Sequence, residues 1–200
     1  MVDLTLLQSV SYIAGALGVC IAAIFYVLNL RISQRNQELM LKAQRQTLET
    51  RQIQLMMQLS EFITTKEGMR NYLEFNNMEW KDYDDFEKKY GSDVNPDSYA
   101  LRESLAGWFN KAGILLREGM IDRELLYGFL GFAAISAWNK YGGLVRTQRE
   151  LWKMPELWRS WEYLYGEMVK IAAERGMDSN FKEDPRYTDE MRRKIIAKSA

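Results

Sequence analysis

Four carboxylates lie close together in one short segment and are candidate ligands for a cation: Asp82, Asp84, Asp85 and Glu87. Calcium loops supply oxygen ligands from alternating positions and need a glycine at the sixth position. Counting from Asp82, the sixth position here is Glu87 and the seventh is Lys88. The spacing therefore favours a solvated acidic loop, leaves cation binding by this segment open, and predicts no metal site.

The residue inventory removes most catalytic chemistry. The chain has no histidine, which excludes the commonest general base, the commonest metal ligand and every Ser-His or Cys-His dyad. Its one cysteine, Cys20, can form neither a disulfide nor a cysteine zinc site within the chain. Neither of the glycine-rich phosphate-binding patterns occurs. We therefore predict no catalytic residues, no cofactor and no metal.

The next feature is an uncharged apolar run over residues 10–30, 21 residues long. A bilayer core needs about 20 helical residues to be crossed. A cleaved signal peptide would have a basic start and a shorter apolar stretch. Here no Lys or Arg precedes the run, and Arg31 follows it directly. The pattern predicts a retained transmembrane helix, with the core helix of a soluble protein as the alternative.

Flanking charges predict the orientation of that helix. Arg31, Arg35, Lys42 and Arg45 follow the run, whereas no basic side chain precedes it. The positive-inside rule then places the N-terminus outside and the remainder in the cytoplasm. We predict a single-pass protein of the plasma or inner membrane with the lipid bilayer as a partner. The net charge is zero, so there is no basic field that favours nucleic acid.

Two weak patterns favour self-association as a homo-oligomer. Residues 31–60 contain no Pro and no Gly and predict a helical stalk that continues the membrane helix. Apolar residues recur there at intervals of seven, but too sparsely for a leucine zipper, so a solvated stalk explains them equally well. In the membrane, small residues at helical spacing would let a second helix approach closely, although a lipid-facing helix with incidental small residues is the alternative. These residues are Ser11, Ala14, Gly15, Gly18 and Ala22.

Beyond residue 60 the sequence predicts packed helices and no strand. Asn95 and Pro96 begin a helix that runs to Gly119, and Asp122 begins another that should end at Gly142–Gly143. A short helix over 144–153 and a last one from Pro155 to Gly176 follow. The fold class is therefore all-α, with the transmembrane helix, the stalk and a four- to five-helix cytoplasmic bundle. The predicted core residues are Leu105, Trp108, Leu115, Phe129, Phe132, Trp158, Trp161 and Leu164.

These elements give a domain organisation in five segments. The boundaries are an extracytoplasmic N-terminus over 1–9, the transmembrane helix over 10–30, the stalk over 31–60, the bundle over 61–176 and a polar tail over 177–200. Within the tail, residues 188–198 are compatible with a short basic amphipathic helix, and a frayed terminus is the alternative.

Two segments of the bundle carry a resemblance to a known family. They are Asn110-Lys-Ala-Gly-Ile-Leu-Leu-Arg-Glu-Gly-Met-Ile-Asp122 and Pro155-Glu-Leu-Trp158. With the N-terminal span and the Gln/Arg-rich helix, they resemble an uncharacterised prokaryotic family of small membrane-anchored helical proteins, over roughly residues 10–175. The resemblance implies the architecture and assigns no activity and no catalytic residues.

Three functions are compatible with this reading. The first is a membrane-anchored interaction or scaffold protein that acts through its cytoplasmic bundle, with a cytoplasmic protein as a possible partner. The second is a homo-oligomeric pore or channel subunit, which the shortage of polar groups within the span disfavours. The third is an enzyme of membrane-proximal substrates, for which no motif provides support. We favour the first and do not predict an enzyme.

Overall fold

The computed structural model describes residues 4–177 and 189–199, and every regular element in these ranges is an α-helix. The all-α prediction is therefore confirmed. The helices in chain order are α1 (Leu4–Thr64), α2 (Lys66–Asn77), α3 (Tyr83–Tyr90), α4 (Pro96–Arg117), α5 (Arg123–Leu151), α6 (Arg159–Glu174) and α7 (Asp189–Ser199).

The chain divides into two compact units, Met1–Arg51 and Gln52–Ala200. The first unit is helix α1 up to Arg51, and all of its described side chains are exposed. The second unit takes in residues 52–60, which the sequence assigns to the stalk, because Leu59 is only 1% exposed and lies in the core of that unit. The continuous helix predicted through the span and the stalk is present as α1.

Local capping explains where several helices of the second unit begin. The Asn95 side chain accepts a hydrogen bond from the Ser98 amide, and Pro96 occupies the first turn of α4. The Asp122 carboxylate accepts from the amides of Glu124 and Leu125 at the start of α5, 2.9 Å each. Both caps satisfy amides that have no partner within the helix, as the sequence predicts.

The core of the second unit forms where α4, α5 and α6 pack on one another, with α2 and α3 against α4 and α7 against α5. Trp161 of α6 stacks on Phe109 of α4, with ring centroids 5.2 Å apart, and meets Trp138 of α5 edge to face at 5.1 Å. Of the predicted core residues, Leu105, Trp108, Trp161 and Leu164 are buried, and Leu115, Phe129 and Trp158 are half-buried against the core.

Phe132 is the exception, because it is 73% exposed and the prediction that it belongs to the core is wrong. The stretch from Leu125 to Trp138 has no charged residue, so its composition does not say which face is buried. In the structure α5 turns Leu130, Ala134 and Trp138 inward. A helix that packs on one side leaves the opposite apolar residues outside.

Two further predictions about element boundaries are wrong. Helix α5 does not end at Gly142–Gly143 but continues to Leu151. Gly142 serves packing instead, since a Cβ there would lie 2.6 Å from Nε1 of Trp138. Helix α6 begins at Arg159 rather than at the predicted Pro155, after a turn in which Trp158 has a left-handed backbone with φ of 53°.

The tail contains a short helix, α7, where the sequence allows one as an alternative to a frayed terminus. Its Ile195 packs against the core, and its Lys198 forms an ion pair with Asp84. The linker predicted over 178–185 lies outside the described residues, as do the first three residues of the predicted extracytoplasmic N-terminus.

Candidate functional site

Helix α1 contains the long apolar segment of this chain. It is the one described helix that is long and apolar enough to cross a membrane, and its most apolar window has a mean hydropathy of 2.2 with no part buried. By length and composition it fits a membrane span or a signal sequence. Gly15 and Gly18 have no neighbouring group within 4 Å, and Cys20 is exposed. The small-residue track is therefore accessible along α1.

The acidic cluster predicted to be a solvated loop is instead the start of helix α3. The Asp82 carboxylate accepts from the Asp85 amide at 2.9 Å, and the Asp85 carboxylate accepts from the Lys81 amide at 2.9 Å. Lys89 donates to Asp85 at 2.8 Å, and this bond, with that from Lys81, lowers the pKa of Asp85 below its ordinary value. These carboxylates cap and stabilise a helix N-terminus, and no metal-binding group of three is found among the described residues.

The C-terminal end of α1 is fixed to α4 by one tryptophan. Nε1 of Trp108 donates to the carbonyl oxygen of Leu59 at 2.9 Å, in a buried position. The ring of Phe62 stacks over that of Trp108 at 6.0 Å with an interplanar angle of 22°. Because Trp108 is buried and Phe62 is 37% exposed, this contact forms an apolar surface where α1 ends.

Beyond this contact a groove of about 710 Å³ opens between α2 and α4, within the size range of ligand-binding pockets. We call it the α2–α4 groove. A second hollow of about 440 Å³ continues it and shares Phe62 and Ser104 as lining residues. The apolar floor of the α2–α4 groove consists of Phe62, Ala100, Leu101 and Leu105.

Charges of both signs line the walls of this groove. Lys66 and Arg70 lie one turn apart on α2, and Asp97 lies in the first turn of α4. Glu67 and Glu74 add two carboxylates on the α2 side. Within the described part of the chain none of these five groups forms an ion pair or a side-chain hydrogen bond. The groove therefore offers charge that is not neutralised inside the protein.

The outward face of α2 continues the surface with two apolar side chains. Met69 is 47% exposed and Leu73 is 54% exposed, and their spacing of four residues places them side by side on the helix. Each lies next to a groove charge in the sequence, Met69 before Arg70 and Leu73 before Glu74. Helix α2 therefore presents an apolar pair beside a row of charges.

Sequence reasoning did not identify this groove. The Lys66–Arg70 spacing is a usable signal for two cations on one helical face, but Asp97 lies on another helix, and only packing of α2 on α4 brings the three together. Of the predicted core residues, Leu105 alone lines the groove, and Trp108 lines the adjoining hollow.

Two arginines outside the groove, Arg102 and Arg149, have internal partners. Arg102 is 4% exposed, lies over the rings of Phe86 and Tyr99 at 5.1 and 5.0 Å, and pairs with Glu103 at 2.8 Å. Burial raises the pKa of Glu103 above its ordinary value, and the charge of Arg102 opposes that shift.

A second internal network supports the turn before α6. Arg149 donates to the Leu157 carbonyl at 2.8 Å and to Glu162 at 2.6 Å. The Asn110 side chain accepts from the amides of Ser160 and Trp161 at 3.1 and 3.2 Å. These contacts hold α4, α5 and α6 together.

Comparison with protein families gives one match, to the model described as Domain of unknown function (DUF4760), over residues 13–168. The chain belongs to the DUF4760 family. The match includes part of the apolar run of α1 and most of the second unit, with both walls of the α2–α4 groove. No curated protein and no solved structure matches this DUF4760 chain. The expected membership of an uncharacterised family is confirmed, and the family description assigns no activity.

Proposed function

We propose that this DUF4760 protein is a membrane-anchored scaffold: residues 10–30 cross the bilayer, and the helical second unit is a cytoplasmic interaction module. Within the described residues, this unit contains the six helices α2–α7 rather than the four to five that the sequence predicts. The observation that carries the proposal is the uncharged run of 21 residues within one continuous helix, none of it buried. Exposed apolar surface of that length is unfavourable in water and favourable in lipid.

We assign the module to binding rather than catalysis because its accessible groove has an apolar floor and charged walls. The α2–α4 groove combines an apolar floor with cations and carboxylates that have no partner within the described protein. Convergent polar groups over an apolar floor are typical of binding sites. Catalysis would need a nucleophile with a base or a similar set of converging groups.

The proposed orientation has the N-terminus outside and the second unit in the cytoplasm. Arg31, Arg35, Lys42 and Arg45 support it, since basic residues next to a span are retained on the cytoplasmic side. A C-terminal reporter that is active only in the cytoplasm should be active, and protease added outside intact cells should leave the second unit uncut. Digestion from outside would refute this orientation.

The membrane anchor is tested by placing arginine inside the run and, as a matched control, outside it. Leu17→Arg with Ile21→Arg puts two charges at mid-span, each disfavoured by about 3 kcal/mol there. Leu39→Arg with Leu41→Arg changes two equally exposed apolar residues of the same helix beyond the run. The first pair should release the protein from alkali-washed membranes, and the second should not. Equal retention of both variants would refute the anchor.

Self-association through α1 is the remaining part of the proposal. The accessible glycines of the small-residue track support close approach of a second helix, and the exposed apolar residues Ile32, Leu39 and Ile53 support contact along the stalk. Cys20 lies on the opposite face of α1 from this track, so the test uses Ala22→Cys, on the track itself, in a Cys20→Ser background. This variant should give a dimer on oxidation in native membranes. Gly15→Leu with Gly18→Leu should abolish that dimer, whereas Ala16→Leu with Ala23→Leu, on another face, should not. Absence of the Ala22→Cys dimer would refute association through α1.

A further inference from the structure

We infer that the α2–α4 groove is a docking site for helix α2 of a second copy of this chain, so that two second units form a symmetric pair. The inference rests on the proposed function, since it names the partner of the module. It starts from the groove charges, which have no ion-pair partners among the described residues.

The charge pattern suits a two-fold pair. In a symmetric dimer the same patch meets itself, so the patch must carry both members of each contact. Here the α2 wall carries both signs, with Lys66 and Arg70 beside Glu67 and Glu74, and the α4 wall adds Asp97. When α2 of one copy lies in the groove of the other, its cations face the partner's Asp97 and its carboxylates face the partner's α2 cations, and the two-fold axis repeats each contact.

The apolar pattern is self-complementary in the same way. Met69 and Leu73 project from α2 as an exposed pair, and the groove floor contains Phe62 and Leu101. An amphipathic helix commonly binds a groove through apolar side chains at a spacing of three or four residues. Helix α2 therefore supplies both the apolar pair and the charged row that the groove of a second copy requires.

Tethering favours a second copy over an unrelated soluble partner. Two copies anchored in one bilayer through α1 have a high effective concentration, so even a modest groove contact is populated. A charged rim around a small apolar centre is also the usual anatomy of such contacts.

The experiment uses the full-length chain in native membranes with Cys20→Ser as background. Two differently tagged copies are co-expressed, one with Leu73→Cys and the other with Ser104→Cys, a groove-lining position. Oxidation should give the mixed dimer. A control pair replaces Ser104→Cys with Tyr163→Cys, an exposed residue of α6 outside the groove, and should give none. Equal yields from the two pairs would overturn the inference. A groove that binds a different protein would also give equal yields, so that alternative is covered by the same result.

Charge reversal then tests the proposed pairing directly. Arg70→Glu in both copies, or Asp97→Arg in both copies, should lower the mixed-dimer yield roughly tenfold, because each variant alters two symmetry-related pairs. The double variant should recover most of the yield, which also shows that the variants fold. A double variant as poor as the single ones would overturn the inference.

The Ala22→Cys dimer in the Cys20→Ser background serves as an independent readout of α1. If this dimer forms and the groove pair gives only the control yield, this inference fails while the proposed scaffold stands. If the groove pair forms without the Ala22→Cys dimer, association through α1 fails and the groove contact stands.

Discussion

Two buried tryptophans offer a sharp test of how this fold is stabilised, because they differ in one hydrogen bond. Trp108 is 6% exposed and Trp161 is 1% exposed. Nε1 of Trp108 donates to the carbonyl oxygen of Leu59 at 2.9 Å. Nε1 of Trp161 is buried and has no hydrogen-bond partner among the described residues. We therefore compare Trp108→Phe with Trp161→Phe.

The expected difference follows from these contacts. The cost of a smaller ring is common to both variants and cancels in the comparison. Trp108→Phe also loses a hydrogen bond worth about 1 kcal/mol net. Trp161→Phe removes an unsatisfied buried N–H, whose desolvation costs about 1–3 kcal/mol, while a phenyl ring keeps the stack on Phe109 and the edge contact with Trp138. Trp108→Phe should therefore be the less stable variant by about 2 kcal/mol or more.

The assay is thermal unfolding of the full-length protein in mild detergent, followed by near-ultraviolet circular dichroism. A difference of about 2 kcal/mol corresponds to a Tm difference of about 4–8 °C for a protein of this size. Trp152→Phe, at a side chain that is 41% exposed, is the control and should change Tm little. If Trp161→Phe proves as destabilising as Trp108→Phe, the assignment of their hydrogen bonds is refuted.

Three further predictions concern packing and pH. Gly113→Ala should destabilise by about 1–3 kcal/mol, because its Cβ would lie 1.9 Å from the Ser160 carbonyl oxygen, whereas Gly166→Ala, with nothing within 4 Å, should be neutral or stabilising in the same melts. Tyr141→Phe should cost about 1 kcal/mol in chemical denaturation, since it removes the buried 2.6 Å bond from the hydroxyl to the Phe75 carbonyl; no loss would contradict that bond. Because burial raises the pKa of Glu103 above 4.5, the folded state holds this proton more tightly, and the residue's contribution to stability falls as pH rises through the raised pKa. The Tm of Glu103→Gln minus that of wild type should therefore increase as pH rises through the raised pKa, and a difference that does not change with pH would contradict the shift.

Features that depend on neighbouring residues in the chain could be predicted from the sequence. Asn95 and Asp122 begin helices because their side chains accept hydrogen bonds from amides two or three residues later. Helix α1 runs unbroken from Leu4 to Thr64 because nothing within it interrupts helical hydrogen bonding. The apolar run and its flanking charges are likewise local, so they support the proposed anchor and orientation without a fold.

Features that depend on distant residues required the tertiary structure. Gly142 and Gly143 are a typical helix end in sequence, yet α5 continues to Leu151, and the ring of Trp138 occupies the space that a side chain at Gly142 would need. Phe132 is in an uncharged stretch in which every face is apolar, and only packing on α4 and α6 selects the buried one.

The α2–α4 groove has the same origin. Lys66 and Arg70 are visible as one helical face in the sequence, but their position opposite Asp97 exists only because α2 packs on α4. Capping and helix continuity are decided by hydrogen bonds over a few residues, whereas burial and groove formation are decided by which helix faces meet, and that choice depends on residues far apart in the chain.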